Sequence, residues 1–153
     1  MGDMSKDQFN RPVIILLVED NEADIRLTRE GIKEAKIKND LHVVRDGVEA
    51  LRFLRKKLPY EDVPTPDLVL LDLNLPKKDG RKVLEEIKTD DLLKYIPVVV
   101  LTSSEAEKDI LESYSLHANC YVTKPIGLNQ FVEVIKSIEN FWISIVKLPI
   151  EKD

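Results

Sequence analysis

Five short aliphatic runs divide this chain, and a stretch of helical periodicity follows each of them. Val13 to Val18 reads Val-Ile-Ile-Leu-Leu-Val, a continuous β-branched and aliphatic run that suits a strand buried on both faces. Asp67 to Asp72, Pro97 to Thr102 and Asn119 to Thr123 read the same way, while the shorter, more polar run Leu41 to Arg45 suits an edge strand. Asn21 stands where it can cap the first helix, in which Ile25, Thr28, Ile32 and Ala35 recur at helical spacing. A second helix is expected over 47–57, with Val48, Leu51, Leu54 and Leu58 on its inner face, and a third over 80–90, with Val83, Leu84 and Ile87 inward. Ser104 and Glu107 form a capping-box pattern that opens a fourth, and a long final helix is expected from Leu128 to about Val146. Parallel strands joined by helical crossovers are the economical solution for such alternation. The expected fold is therefore α/β, a single doubly wound domain.

The polar residues that interrupt the aliphatic runs fall at one place in each unit. Glu19-Asp20 directly follow the first strand, Asp72 ends the third, Thr102 ends the fourth, and Lys124-Pro125 directly follow the fifth. A parallel sheet brings all of these to a single rim, and open α/β sheets bind ligands outside the carboxyl ends of their strands. One acid after one strand is more often a helix cap than a site. Four strand ends carrying compatible chemistry are harder to dismiss as surface decoration.

Gathering Glu19, Asp20 and Asp72 has an electrostatic cost. Each pair at about 4 Å repels by about 4 kcal/mol at an effective dielectric near 20. Lys124 supplies one positive charge, and the deficit that remains suits a hard divalent cation. Mg²⁺ prefers oxygen ligands and commonly sits on one or two carboxylates plus a phosphate.

On these residues the chain resembles the response-regulator receiver domains of two-component signalling. The matching segments are Val18-Glu19-Asp20-Asn21, Leu70 to Pro76, Asp79-Gly80, Val100-Leu101-Thr102-Ser103 and Lys124-Pro125, in the family's order and spanning Val13 to about Val146. The resemblance implies a five-stranded parallel sheet in order 2-1-3-4-5 with helices on both faces, the flavodoxin-like arrangement. It implies that Asp72 is a phosphoacceptor nucleophile. Glu19 and Asp20 would be the acidic pair that holds Mg²⁺ with Asp72, Asn74 lending its backbone carbonyl. Thr102 would hydrogen-bond the phosphoryl group, Lys124 would be its charge partner, and Tyr121 would be the aromatic switch. A cis Lys124–Pro125 peptide is implied as well.

Phosphoryl transfer asks a protein mainly for positioning and charge stabilisation. An aspartyl phosphate adds roughly two negative charges at the sheet rim. Thr102 moving toward it would open space for Tyr121 to turn inward, biasing the surface made by the fourth helix, fifth strand and fifth helix. The expected role is a signalling switch fed by a histidine kinase, not an enzyme beyond its own phosphorylation and dephosphorylation. The Pro-rich connection Pro59 to Pro66, the segment Leu116 to Tyr121, and Phe141-Trp142 further resemble the stand-alone receivers that partner phytochrome histidine kinases. That narrower resemblance implies a photosensor kinase as phosphodonor and a homodimer. In the final helix Leu128, Phe131, Val132, Ile135, Ile138, Trp142 and Ile145 form one apolar stripe. Val134, Phe141 and Leu148 extend beyond it, which points to an interface through the fifth helix.

Composition sets the remaining bounds. The 153 residues suit one domain, divided as an N-terminal arm 1–11, a receiver domain 12–146 and a C-terminal tail 147–153. Net charge is −5, so an acidic chain without a basic stripe is not expected to bind nucleic acid. Met1 to Arg11 lacks the apolar core of a signal peptide, no apolar run approaches the roughly 20 residues of a membrane span, and a cytoplasmic location is expected. One cysteine, Cys120, permits no internal disulfide and reads as a small core residue. His42, on an edge strand, and His117, at a helix end, read as structural.

Three rival readings remain. An aspartate-nucleophile phosphatase would carry a second acid two residues after the nucleophile, where this chain has Asn74. A nucleotide-binding module would need glycine after the first strand, where Glu19 to Glu22 reads Glu-Asp-Asn-Glu. A non-phosphorylated pseudo-receiver would not need every site position filled with a suitable residue. The sequence closes soon after the final helix, so the expected output is protein association or phosphoryl relay.

Overall fold

The computed structural model describes residues 11–104, 120–124, 126–127 and 129–136. Within them the elements are β1 (Val13–Val18), α1 (Glu22–Glu34), β2 (Asn39–Val44), α2 (Gly47–Leu54), β3 (Leu68–Asp72), α3 (Gly80–Thr89), β4 (Val98–Thr102) and β5 (Cys120–Thr123). Residues 129–136 are helical. The strands form one sheet in order β2-β1-β3-β4-β5, with every pairing parallel. The Ser104/Glu107 cap, His117, Pro125, Phe141 and Trp142 involve residues outside the described set, as do the arm 1–10 and the tail.

Side chains alternate faces along a strand, and here the alternation splits the core in two. Leu16, Val18, Val69, Leu71, Val98 and Val100 face a layer formed by α2 and α3. Ile15, Leu17, Leu68, Leu70, Val99 and Leu101 face α1 and the C-terminal helical residues. All twelve are at least 98% buried. Each buried aliphatic side chain contributes roughly 1.5–3 kcal/mol, so the polar rim is not what holds the sheet together.

The helices follow the sequence reading with two corrections. In α1, Ile25, Thr28 and Ile32 are buried and the Asn21 side chain accepts from the Asp24 N–H. In α3, Val83, Leu84 and Ile87 are buried. Helix α2 stops at Leu54, short of the expected Lys57, and Lys56 adopts a positive φ of 55°. Its inner face is Gly47, Ala50, Leu51, Phe53 and Leu54, while Leu58 is 69% exposed and Val48 lies partly outside. The helical period of apolar residues runs on in the sequence past the end of the helix at Leu54. The second correction concerns Val134, expected beyond the core stripe. It is buried with Phe131 and Ile135 at i, i+3, i+4 spacing. The second strand also begins two residues earlier than expected, at Asn39, and occupies the sheet edge. On it His42 meets the Phe53 ring edge-on, with centroids 5.3 Å apart.

Two glycines mark close approaches. A Cβ on Gly31 would come within 2.9 Å of the Ile126 carbonyl oxygen, which explains a helix-breaking residue inside α1. At Gly80 a Cβ would lie 2.6 Å from Leu73 Cα and 2.7 Å from the Asp72 carbonyl oxygen. The start of α3 thus rests directly on the backbone that carries the strand-end acid.

At the amino ends of the strands, Arg11 makes a two-pronged ion pair with Asp67, at 2.8 and 2.9 Å. Asp67 Oδ2 also accepts the Ile14 N–H at 2.9 Å. The clasp joins the amino ends of β1 and β3.

Because the obstacle at Gly80 is main chain, Gly80→Ala is expected to destabilise the fold by about 1–3 kcal/mol. A lower urea midpoint at unchanged m-value checks this. A midpoint equal to that of wild type contradicts the close packing.

Candidate functional site

The strand register decides which side chains meet. Val18 pairs with both Val44 and Leu71, Asp72 with Leu101, and Thr102 with Thr123. Each strand therefore ends at the same edge, and the next residues project from it. The Glu19 N–H donates to the Val44 carbonyl at 3.0 Å, and the Lys124 N–H to the Thr102 carbonyl at 2.7 Å. These two bonds continue the ladders one residue past the strands and fix where both side chains start.

The structure brings Glu19, Asp20 and Asp72 together as the sequence predicts. One carboxylate oxygen from each lies within 4.8 Å of the others. Glu19 and Asp72 are buried, whereas Asp20 faces solvent. Backbone donors steady the buried pair. The Asn21 N–H reaches Glu19 Oε2 at 3.2 Å, and the Asn74 N–H reaches Asp72 Oδ1 at 3.1 Å.

Lys124 enters from β5. Its Nζ lies 3.3 Å from Glu19 Oε1, 3.3 Å from Asp72 Oδ2 and 2.8 Å from Asp24 Oδ2. The shortest contact goes to a residue that the strand-end pattern does not single out. Asp24 sits in the first turn of α1, where an acid is already explained by the helix dipole. Its signal in the sequence is a carboxylate four residues past Asp20, on the turn that rises beside the rim.

Thr102 is fully buried, and its hydroxyl donates to the Ser104 carbonyl at 3.3 Å. Tyr121, paired in register with Val100, is half-buried against the α2–α3 side of the core, and its hydroxyl oxygen is buried.

The charges respond to this crowding. Burial pushes the Glu19 carboxyl up to about 7, assisted by hydrogen bonding to Asp72 and by the Asp72 charge. Lys124 and the Asn21 N–H pull the other way. Burial alone would lower the Lys124 pKa, but the bond to Asp24 and the charges of Asp72, Glu19 and Asp24 raise it overall. The lysine is a fixed cation near neutral pH, while Glu19 carries a proton for part of the time.

The donor set fits a hard divalent cation. Three carboxylate oxygens converge, none is sulfur or imidazole, and Lys124 does not relieve Glu19 fully. An ion there would be held by Glu19, Asp20 and Asp72, the oxygens that the lysine leaves under-compensated.

Comparison with known proteins follows the same lines. Residues 15–136 match the family model described as the response regulator receiver domain. The chain is 52% identical to response regulator Rcp1 of Synechocystis sp. over 143 residues, covering 94% of this chain and 97% of that one. Among solved structures, it resembles the phosphorylated cyanobacterial phytochrome response regulator RcpA at 53% identity and a TM-score of 0.69, over 87% of this chain and 95% of that one. The Mn²⁺-bound form of Rcp1 aligns at 51% identity and a TM-score of 0.68, over 88% and 96%. The bacteriophytochrome response regulator AtBRR aligns at 44% identity and a TM-score of 0.78, over 84% and 93%.

The raised Glu19 carboxyl sets a direction for stability in chelator. Between about pH 4.5 and 7 the folded chain holds a proton at Glu19 that the unfolded chain has released. Stability from this group is therefore lost as pH rises through that window. Urea midpoints at pH 5 and pH 8 should fall more steeply for wild type than for Glu19→Gln. Equal slopes would contradict the raised Glu19 carboxyl.

Proposed function

The chain belongs to the response regulator receiver domain family, and from that membership we propose that it is a phosphoacceptor switch carrying its phosphoryl group on Asp72. The observation that carries the proposal is the setting of Asp72. It is a buried carboxylate at a sheet edge, 3.3 Å from the Lys124 ammonium and beside two further acids.

In the proposed reaction an Asp72 oxygen attacks the phosphorus of a phosphohistidine, and the imidazole leaves. Asn74 holds Asp72 Oδ1 from its backbone N–H, which orients the carboxylate for attack. Lys124 meets charge that develops on the equatorial oxygens. Mg²⁺, held by Glu19, Asp20, Asp72 and the Asn74 carbonyl, would supply the remaining positive charge. Thr102 releases Ser104 and turns its hydroxyl toward the phosphoryl group, and Tyr121 fills the space behind it. The phosphoryl charge thereby becomes a change of surface around β5. Outside its own phosphorylation and loss of phosphate, the domain turns over no substrate.

The proposed phosphodonor is a histidine kinase of the phytochrome type. Its support is the likeness to RcpA and AtBRR, both phytochrome response regulators. No described helix is long and apolar enough to cross a membrane. A homodimer through the final helix belongs to the same proposal. With Val134 in the core, its support rests on the sequence of Phe141 and Trp142, which lie outside the described residues.

Acetyl phosphate with Mg²⁺, followed by intact mass, tests the reaction. One added phosphoryl group is expected for wild type and none for Asp72→Asn. Unchanged labelling of the variant refutes Asp72. Steady hydrolysis without a labelled protein supports a phosphatase, and no reaction supports a pseudo-receiver. For assembly, sedimentation at micromolar concentration should give a dimer for wild type and a monomer for the Phe141→Ala, Trp142→Ala variant. A monomeric wild type, phosphorylated or not, counts against the dimer.

A further inference from the structure

We propose that Asp24 is a positioning residue that competes with the phosphoryl group for Lys124, so that the Asp24–Lys124 pair opposes phosphorylation. The inference rests on the phosphoacceptor reading of Asp72. A lysine ammonium has three donor hydrogens. Here three carboxylates surround Nζ, from Asp24 at 2.8 Å and from Glu19 and Asp72 at 3.3 Å each. Each of the three donors thus has a carboxylate acceptor in this state.

The three partners are not equivalent. Glu19 and Asp72 are buried and belong to the acidic group that a divalent cation would neutralise. Asp24 is the outer partner, with a side chain 28% exposed, and lies outside that group. Once a cation compensates Glu19 and Asp72, Asp24 is the acceptor whose charge still holds the lysine.

Asp24 is also rigidly based. Its own N–H is capped by Asn21 Oδ1 at 3.0 Å, so the carboxylate projects from a fixed first turn of α1. An incoming phosphoryl oxygen competes for Nζ with a short, charge-assisted bond. The pair therefore stabilises the unphosphorylated state, and weakening it shifts the balance toward the phosphorylated one.

Beryllofluoride with saturating Mg²⁺ is the probe, because it forms a stable phosphoryl-like adduct on a carboxylate without turnover. Asp24→Asn keeps the shape and one acceptor oxygen but removes the charge. It should bind beryllofluoride about three- to tenfold more tightly than wild type, the difference between a charged and a neutral hydrogen bond. Asp24→Glu, which restores the charge, should return toward the wild-type value. Glu22→Gln is the control for the general field. Glu22 shares the first turn of α1 but pairs with Arg45 at 2.7 Å. Its affinity should stay within about twofold of wild type, consistent with the small energies of exposed pairs. Equal gains in Asp24→Asn and Glu22→Gln overturn the proposal, as does an unchanged or weakened Asp24→Asn. A wild-type protein that takes up neither beryllofluoride nor acetyl phosphate overturns the phosphoacceptor reading itself, and the role of Asp24 falls with it.

Discussion

Two carboxylates buried side by side repel each other, and the arrangement of this domain's edge follows from containing that repulsion. Glu19 and Asp72 are both withdrawn from water, where each charge is most costly to keep. Lys124 lies between them, and backbone N–H groups of Asn21 and Asn74 complete their contacts. The compensation is incomplete, since burial and the Asp72 charge still push the Glu19 carboxyl up to about 7. An edge so under-compensated has the donor set that a hard divalent cation prefers. The chemistry of the site is thus a property of its resting imbalance.

Nothing at the edge could hold that imbalance without the layers behind it. The strand residues bury their side chains in two separate cores, one on each face, and every strand ends at the same rim, β3 one residue and β4 and β5 two residues beyond the level of Val18. Gly80 brings α3 against the backbone of Asp72 and Leu73, so the loop that carries Asn74 has a backstop. Apolar burial supplies the stability, and the polar residues occupy positions that the sheet has already fixed.

Much of this was legible in the sequence because the signals were local. An aliphatic run closed by an acid or a threonine names both the strand and the end at which the site lies. Glu19, Asp20, Asp72, Thr102 and Lys124 could therefore be placed at one rim before any contact was known. Asp24 could not, because an acid in the first turn of a helix has an ordinary explanation and its partner lies 100 residues away. The inner face of α2 differs from the sequence pattern for a related reason. The pattern at Leu58 continued the helical period after the chain had left the helix at Arg55. Val134 shows the opposite error: a residue judged surplus to one stripe packs in the core because the buried face is broader than a single row.

The clasp between Arg11 and Asp67 has a consequence for handling the domain. It pins the start of β1 at the amino edge of the sheet, and the site lies at the other end of that strand. Six strand residues at about 3.3 Å each separate the two by about 20 Å. A dye, affinity handle or fused reporter joined ahead of Arg11 therefore leaves the domain on the side away from the acids. Attachment there suits measurements in which Asp72 must stay unobstructed.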